Sequence, residues 1–294
     1  MQSLVATLIA NPANPCITGE VVDNARDAIA ASAVYFLADG TACDIPVPED
    51  CDNPREKIAV AIAGHPIDVV VQDADERRKK ALLADMDSTL IQQECIDELA
   101  AEAGVGERVA DITAKAMRGE LEFEPALRER VNLLKGLPLS IIDKVLDERI
   151  TLMPGARELV ATMNANGAYS ALVSGGFTQF TSRIAETLGF HENRANTLRV
   201  DGDSLSGDVV PPILGREAKV QALQDVAALR GIETNDIVAV GDGANDLGML
   251  QLAGSGVALH AKPIVAEQAK FRIDHGDLTA LLYIQGYRKA DFAT

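Results

Sequence analysis

Two carboxylates stand two residues apart directly behind a short apolar segment of the chain. The segment Ala-Leu-Leu-Ala at 81–84 is followed by Asp85 and Asp87, with one residue between them. Carboxylates at positions i and i+2 after a buried strand leave the sheet on the same side. One of them could then bind a metal and attack phosphorus while the other transfers protons.

A hydroxyl and two glycines follow a second apolar run at 169–173, where Ser174 precedes Gly175 and Gly176. Small residues let backbone N–H groups approach a phosphate closely, and a serine hydroxyl adds a further hydrogen bond. An ordinary strand-to-helix turn has the same composition, so the segment by itself leaves both interpretations open.

A third apolar run at 237–240 precedes Asp242, Asn245 and Asp246. Acid and amide oxygens this close together suit a hard cation, although an Asx-rich turn looks similar. Upstream, Lys219 lies in a helical pattern, where a single lysine is usually a solvated side chain. The other motifs make Lys219 a candidate for the same site.

The apolar runs also predict the elements that position these residues. They are apolar on both faces and are separated by helical stretches, which is typical of a parallel sheet covered by helices on both sides. In such sheets, ligands bind at the carboxyl ends of the strands. The predicted strands are 81–84, 169–173, 237–240, 256–259 and 271–273.

A helical segment lies between the first predicted strand of this sheet and the next α/β unit. Residues 92–150 have a helical pattern almost throughout, which predicts an inserted helical cap. The predicted cap helices are 94–103, 108–118, 125–134 and 140–149.

The N-terminal region has a different pattern, typical of a small α+β sandwich of the ferredoxin or ACT type. Its predicted elements are strand 4–9, helix 22–31, strand 33–37, a turn at Gly40, helix 55–63 and strand 67–72. The charge run at 73–80 is interpreted as a solvated linker or strand lead-in. We therefore predict two domains, 1–75 and 81–294.

Composition and charge limit the classes of partner. The chain has 294 residues, of which 47% are hydrophobic, and its 27 basic and 44 acidic residues give a net charge of −17. Such a charge disfavours nucleic acid and anionic membranes, and a bound metal would be needed to attract a phosphate. No apolar run approaches the length of a membrane span, and no cysteine or histidine spacing indicates zinc, so a cytoplasmic protein is expected.

Taken in order, these motifs resemble the haloacid dehalogenase superfamily and, within it, the phosphoserine phosphatases. The resemblance covers about residues 81–287, and the N-terminal region is similar to the ACT-like domain of the longer bacterial members. It is carried by Asp-Met-Asp-Ser-Thr-Leu-Ile from Asp85, Glu94, the segment around Arg130, Val-Ser-Gly-Gly-Phe from Val173, and Gly-Asp-Gly-Ala-Asn-Asp from Gly241.

The resemblance implies a doubly wound parallel sheet and roles for the motif residues. Asp85 is expected to be the nucleophile that forms an aspartyl-phosphate, and Asp87 to donate and then accept a proton. Mg²⁺ is expected to bind the carboxylates of Asp85 and Asp242 and the main-chain carbonyl of Asp87. Ser174, the Gly175 N–H and Lys219 would contact the phosphoryl oxygens, while Asn245 and Asp246 would orient Lys219 and metal-bound water.

The resemblance also implies the substrate, L-phosphoserine, and the reaction, hydrolysis to L-serine and phosphate as the last step of serine biosynthesis. Glu94 and Arg130 in the cap would bind the ammonium and the carboxylate of this substrate, because the planar fork of arginine suits a carboxylate. Met117 and Phe123 would be apolar cap residues over the substrate.

Several alternatives stay open at this stage. Phosphothreonine or phosphohomoserine could be the substrate, or phosphate could be transferred to homoserine, because a methyl group gives little discrimination. A phospho-accepting signalling domain is disfavoured by Asp87, and an ion-pumping ATPase by the lack of a membrane segment. The N-terminal region is expected to bind an amino-acid effector or to mediate a homodimer.

Overall fold

The chain forms two β-sheets, each covered by helices, in a computed structural model that describes residues 3–117 and 120–294. The side chain of Met117, predicted to lie over the substrate, is outside the described part. The N-terminal elements are β1 (Leu4–Ala10), α1 (Gly19–Ala28), β2 (Tyr35–Ala38), β3 (Ala42–Pro46), α2 (Pro54–Ala61) and β4 (Ile67–Asp73).

The N-terminal sheet is antiparallel, with strand order β2-β3-β1-β4. This is the β-α-β-β-α-β arrangement of ferredoxin-like folds, so the predicted α+β class is confirmed. Strand β3 was not predicted. Helix α1 begins earlier than expected because the Thr18 side chain accepts a hydrogen bond from the Val21 N–H (3.3 Å) at its N-terminus.

The second sheet has seven strands in the order β11-β10-β9-β5-β6-β7-β8. Its strands are β5 (Ala81–Ala84), β6 (Tyr169–Phe177), β7 (Glu192–Asp201), β8 (Ser204–Val210), β9 (Ile237–Gly241), β10 (Ser255–Leu259) and β11 (Phe271–Ile273). Its helices are α7 (Ala156–Ala165), α8 (Thr178–Leu188), α9 (Arg216–Arg230), α10 (Leu247–Leu252), α11 (Pro263–Ala266) and α12 (Ala280–Ile284), with 3-10 turns at Thr234–Asp236 and Lys289–Asp291.

The predicted parallel sheet is confirmed, with one correction at its edge. Strand β5 divides its side chains between two cores, since Leu82 and Ala84 pack on one face and Ala81 and Leu83 on the other. This alternation explains why the sequence reads as continuously apolar. The β7–β8 hairpin was not predicted, and its second strand runs antiparallel to the rest.

The predicted helical cap is present as α3 (Cys95–Glu102), α4 (Gly106–Met117), α5 (Phe123–Asn132) and α6 (Ser140–Glu148). The two chain segments that connect it to the sheet lie side by side. The Gln92 N–H donates to the Thr151 carbonyl (3.0 Å), and the Met153 N–H donates to the Leu90 carbonyl (2.8 Å). The domain limits at 75, 81, 92 and 150 stay predictions.

The N-terminal sheet is buried on both faces. One face packs against α1 and α2, whereas Ile9, Ala42 and Val70 on the other belong to the same core as Tyr283 of α12. Beside this contact, the Asp68 carboxylate accepts hydrogen bonds from three consecutive backbone N–H groups, those of residues 274–276, at 2.8 to 3.3 Å. The two sheets are therefore joined by apolar and polar contacts.

The charge run at 73–80 leads directly into β5, as predicted, but it is only partly solvated, so the interpretation as a solvated linker is wrong for two of its cations. The guanidinium of Arg77 lies 2.8 Å from the buried carboxylate of Asp44 in β3. Lys79 is buried, and its ammonium donates to the Glu76 and Asn235 carbonyls at 2.9 and 2.8 Å. Because Asp44 and Asn235 lie far from this segment in the sequence, their contacts with Arg77 and Lys79 hold the segment between the two sheets.

Removing the Asp68 carboxylate should weaken the junction between the sheets. Asp68→Ala leaves three backbone N–H groups without their acceptor, so we expect a loss of about 3 kcal/mol and a Tm lower by roughly 5–10 °C. Thermal unfolding followed by circular dichroism measures this change. Asp75→Ala, which removes an exposed carboxylate that accepts a hydrogen bond from Ser3 Oγ (3.3 Å), is the control. Equal Tm shifts for the two variants would contradict the prediction.

Candidate active site

A cavity of about 710 Å³ lies between the cap and the carboxyl ends of β5, β6 and β9. The structure brings most of the predicted site residues to its wall. Those that line it are Asp85, Asp87, Glu94, Phe123, Arg130, Ser174, Gly175, Asp242 and Asn245. Lys219 and Asp246 are buried next to Asp85, beneath this wall.

Asp85 and Asp87 reach the same cavity from the end of β5. The Asp85 N–H donates to the Val240 carbonyl (3.0 Å), which continues the pairing with β9 beyond the last strand residue. The Asp87 carboxylate accepts hydrogen bonds from the Cys95 N–H (2.9 Å) and from Ser174 Oγ (3.3 Å). The i and i+2 spacing therefore places both carboxylates in one site, as predicted.

Asp87 has the properties of a group that can exchange protons. Burial raises the pKa of its carboxyl group, while the hydrogen bonds from Cys95 and Ser174 lower it, and the net shift is upward. A raised pKa makes the protonated form accessible nearer to neutral pH. Asp87 can thus donate a proton as an acid and accept one as a carboxylate.

Lys219 forms a buried ion-pair cluster with two aspartates. Its ammonium lies 2.8 Å from Asp85 Oδ1 and 2.6 Å from Asp246 Oδ1, and all three side chains are buried. Burial alone would lower the pKa of Lys219, but the charges of Asp246 and Asp85 outweigh it and raise the pKa. Lys219 is therefore a permanent cation beside Asp85.

Asp246 is fixed by the loop that follows β9. Its second oxygen accepts a hydrogen bond from the Gly243 N–H (3.0 Å). Gly241 lies so close that a Cβ atom there would collide with the Asp246 carboxylate. Gly241 is therefore required for the close approach of Asp246 to Lys219.

Three buried carboxylates form a group that fits a divalent cation. One oxygen each from Asp85, Asp242 and Asp246 lie within 4.8 Å of one another. Burial and the charge of Asp246 raise the pKa values of both Asp85 and Asp242, so a nearby cation would stabilise their charged forms. An all-oxygen donor set suits a hard ion such as Mg²⁺ or Ca²⁺.

The residues 174–176, called the Ser174 loop below, bring small residues against Asp87. The Gly176 N–H donates to Ser174 Oγ (2.9 Å). A Cβ atom at Gly176 would lie 2.7 Å from Asp87 Oδ2, so no larger residue fits there without displacing Asp87. The loop thereby presents backbone and hydroxyl groups to the cavity, as the sequence suggested.

The cap contributes an anion and a cation to the opposite wall. Glu94 accepts a hydrogen bond from Ser88 Oγ (2.7 Å), and burial, followed by the charge of Asp87, raises its pKa to about 7. The guanidinium of Arg130 donates to the Ala126 carbonyl (3.3 Å) and to Thr113 Oγ1 (3.4 Å). Burial lowers the pKa of Arg130, which stays a cation because the reference value for arginine is far above neutral.

Asp97 and Lys262 also line the cavity, although the sequence analysis missed both. Asp97 lies three residues after Glu94 on α3, so helical spacing could have identified it. Lys262 follows the end of β10, and its N–H donates to the Asp242 carbonyl (3.2 Å). The rule that ligands bind at the carboxyl ends of strands could have identified Lys262.

Comparison with known sequences identifies the family. Residues 82–251 match the family described as haloacid dehalogenase-like hydrolase. The chain belongs to the haloacid dehalogenase-like hydrolases. The matched region contains most of β5, the cap and the strands that carry the Ser174 loop and Asp242, so the family assignment covers most of the cavity described above.

Two relatives of this hydrolase are named phosphoserine phosphatase. The protein of Streptococcus thermophilus is 48% identical over 70% of this chain and 95% of its own length. That of Streptomyces coelicolor is 44% identical over 79% of this chain, and the match spans only 56% of the longer protein. The predicted resemblance to phosphoserine phosphatases is confirmed.

Solved structures extend the similarity to the fold. A phosphoserine phosphatase described as a phospho-aspartyl intermediate analogue has a TM-score of 0.66 and 45% identity, over 70% of this chain and 98% of its own. A probable phosphoserine phosphatase from Vibrio cholerae has a TM-score of 0.77 and 31% identity, over 99% of this chain and 88% of its own. The second comparison includes the N-terminal sheet.

Lys262 should contribute to anion binding in this hydrolase. It lines the cavity together with Glu94 and Asp242, and its charge lowers the pKa of both carboxyl groups. We expect Lys262→Gln to weaken the binding of inorganic phosphate roughly five-fold, because a cation at the cavity rim is lost. Isothermal titration calorimetry measures this affinity.

The matched control is Lys57→Gln, which changes the net charge equally on the exposed side of α2. Equal loss of phosphate affinity in both variants would show that only the overall charge matters. No loss in Lys262→Gln would contradict a role for Lys262 in anion binding.

Proposed function

We propose that this chain is a Mg²⁺-dependent phosphatase that hydrolyses L-phosphoserine to L-serine and phosphate through an aspartyl-phosphate on Asp85. The arrangement of Asp85 supports this most directly, because its carboxylate contacts buried Lys219 and faces the same cavity as Asp87. The reaction would be the last step of serine biosynthesis and would occur in the cytoplasm. Among the described helices, none is long and apolar enough to cross a membrane.

In the first step, an oxygen of Asp85 attacks phosphorus and the bond between phosphorus and the serine oxygen breaks. Asp87 donates its proton to the departing serine oxygen. In the second step, Asp87 accepts a proton from the water that attacks the aspartyl-phosphate, which releases phosphate and regenerates Asp85. Dividing the displacement in this way replaces one difficult step with two easier ones.

Charge stabilisation comes from groups that are already in place. Lys219, Ser174 Oγ and the Gly175 N–H lie on the side of the cavity where the phosphoryl group would bind. Mg²⁺, bound by the carboxylates of Asp85 and Asp242 and the Asp87 main-chain carbonyl, would offset the negative charge of the phosphate. Asp246, whose oxygens contact Lys219 and the Gly243 N–H, would orient Lys219.

The cap wall supports an amino-acid phosphate as the substrate. Glu94 would bind the ammonium of phosphoserine, and Arg130 would bind its carboxylate with its planar fork. Phe123 and Leu127 add apolar surface to the same wall. An effector site and a homodimer in the N-terminal region stay predictions, as do the domain limits.

Phosphate release from L-phosphoserine, L-phosphothreonine and phosphohomoserine, with and without Mg²⁺, tests the proposal. We expect turnover that requires Mg²⁺ and favours phosphoserine, and a loss of at least about 10³-fold in Asp85→Asn, because the amide cannot act as the nucleophile. Asp225→Asn, the same substitution at a surface carboxylate paired with Arg194, should retain full activity. Turnover of another ester would overturn the substrate assignment, and full activity of Asp85→Asn would overturn the mechanism.

Glu94 should make the use of phosphoserine depend on pH. Its pKa of about 7 means that the carboxyl group is mostly neutral at pH 6 and mostly anionic at pH 8. Only the anion pairs with the substrate ammonium, so the ratio of kcat/KM between the wild type and Glu94→Gln should rise by up to about tenfold between these pH values.

The same pH series with p-nitrophenyl phosphate is the control, because that ester has no ammonium group. Its wild-type to variant ratio should stay constant, which separates Glu94 from the titration of the phosphate itself. A constant ratio with phosphoserine as well would show that Glu94 does not bind the ammonium.

A further inference from the structure

Asn196 connects the Ser174 loop with the segment before α9, beside the part of the cavity where the phosphoryl group would bind. Asn196 itself does not line the cavity. It lies in β7 and is 1% exposed. Its Nδ2 group donates to the Gly175 carbonyl (2.9 Å) and to the Leu214 carbonyl (3.2 Å), and its Oδ1 accepts from the Leu214 N–H (2.7 Å). Both donors of this amide and its oxygen are therefore used by backbone groups.

The need for this amide arises from an irregularity between β6 and β7. Val173 pairs with Arg194 and Phe177 pairs with Asn196, so three residues of β6 stand opposite one residue of β7. The additional residues are in the Ser174 loop, which turns away from the ladder toward the cavity. Such bulges redirect side chains at functional sites, and they leave backbone groups that need other partners.

Asn196 supplies the missing partner and thereby orients one peptide group. The carbonyl of the peptide between Gly175 and Gly176 accepts from Asn196, and the N–H of the same peptide donates to Ser174 Oγ (2.9 Å). Ser174 Oγ in turn donates to Asp87 Oδ2 (3.3 Å). A rotation of this peptide would therefore change the direction of the Ser174 hydroxyl.

The contact with Leu214 connects the same amide to the helix that carries Lys219. Leu214 immediately precedes Gly215, the residue before the first turn of α9. The start of α9 and the Ser174 loop are thus held by one side chain. The Ser174 loop contributes the Ser174 hydroxyl and α9 contributes the Lys219 ammonium to the part of the site where the phosphoryl group would bind.

We propose that Asn196 is a positioning residue that orients the Gly175–Gly176 peptide, and through it the Ser174 hydroxyl, relative to Lys219 for phosphoryl transfer. The proposal rests on the function proposed above. Groups that stabilise charge only in the transition state act mainly on kcat, and small misplacements have large effects. Loss of Asn196 should therefore lower kcat far more than it changes KM.

Two variants of Asn196 and one control separate positioning from general stability. Asn196→Leu removes all three hydrogen bonds at similar volume. The control, Asn164→Leu, removes an amide near the other end of β6 that donates to the Gly189 carbonyl (2.7 Å) and accepts from Ser170 Oγ (2.9 Å). Tm, kcat and KM are measured for phosphoserine and for p-nitrophenyl phosphate, well below the Tm of each variant.

We expect kcat of Asn196→Leu to fall about 100-fold with KM within about threefold, because the phosphate-binding groups lose their orientation. Asn164→Leu should lower Tm but retain kcat. The proposal is overturned if Asn196→Leu retains kcat, or if the two variants lose kcat equally.

Asn196→Asp provides a pH signature that a purely structural role would not give. An ionised carboxylate cannot donate to the Gly175 carbonyl, whereas a protonated one can, and burial raises the pKa of a carboxyl group. Relative to the wild type at each pH, kcat of this variant should recover as the pH falls from 8 to 6. A constant relative kcat would contradict the proposal.

Hydrogen–deuterium exchange, which does not depend on the substrate, separates the proposed role of Asn196 from the proposed function of the chain. Backbone amides of residues 174–177 and 213–219 should exchange with deuterium faster in Asn196→Leu than in the wild type or in Asn164→Leu. Turnover of p-nitrophenyl phosphate but not phosphoserine would reject the proposed substrate alone. Unchanged exchange in Asn196→Leu would reject the role of Asn196, whatever the substrate is.

Discussion

The buried ammonium of Lys219 is the group on which the arrangement of the site depends. It lies between Asp85 at the end of β5 and Asp246 in the loop after β9, both within 2.8 Å. Opposite charges about 4 Å apart attract each other by about 4 kcal/mol at an effective dielectric constant of 20, and like charges repel equally. Without this cation, the buried carboxylates of Asp85, Asp242 and Asp246 would repel one another with little screening by water.

Three different elements must therefore meet for the cluster to exist. Helix α9 carries Lys219, Asp85 directly follows β5, and the loop after β9 brings Asp246 so close to Gly241 that a Cβ atom there would collide with it. The parallel pairing of β5 with β9 fixes the position of Asp85 relative to the loop that carries Asp246, because Leu83 lies opposite Ala239 and Ala84 opposite Val240. The register of the sheet thus determines how close the carboxylates of Asp85 and Asp246 lie to each other.

The net charge of the whole chain repels the proposed substrate, whereas cations near the cavity attract it. With a net charge of −17, the surface repels a phosphate dianion. Within the described part of the cavity and its floor, positive charge comes from Lys219 below, Arg130 on the cap and Lys262 at the rim. A divalent cation held by the aspartates would add to this positive charge where the phosphoryl group reacts.

The motif residues of the large sheet could be predicted from the sequence because they follow apolar runs directly, whereas the roles of Lys219, Glu94 and Arg130 came from the family resemblance. Asp85, Ser174 and Asp242 needed only the rule that carboxyl ends of parallel strands share one edge. The β7–β8 hairpin was missed because its residues alternate between buried and exposed, as at Leu198 and Arg199, and carry no motif.

Other features depend on partners that a local pattern does not contain. Arg77 looked solvated in a charge run, but its partner Asp44 lies in a strand that was not predicted. Asn196 was missed because its role depends on a bulge in the neighbouring strand, which is a property of pairing rather than of residue type.

The contacts of the N-terminal sheet reach the point where the cap rejoins the large sheet. Asp68 holds the backbone of residues 274–276, and the Leu278 N–H two residues later donates to the Pro154 carbonyl (3.1 Å). Gly155 has a φ of +81°, and a Cβ atom there would lie 2.6 Å from the Thr279 N atom.

Although a glycine directly after the cap suggests a hinge, Gly155 is required here for close packing, and its backbone is held by the adjacent Pro154 contact. The paired segments 90–92 and 151–153, which lie between Gly155 and the cap helices, are joined by backbone hydrogen bonds. The N-terminal sheet thus supports, through Asp68 and residues 274–278, the backbone that follows the cap, although it lies outside the cavity.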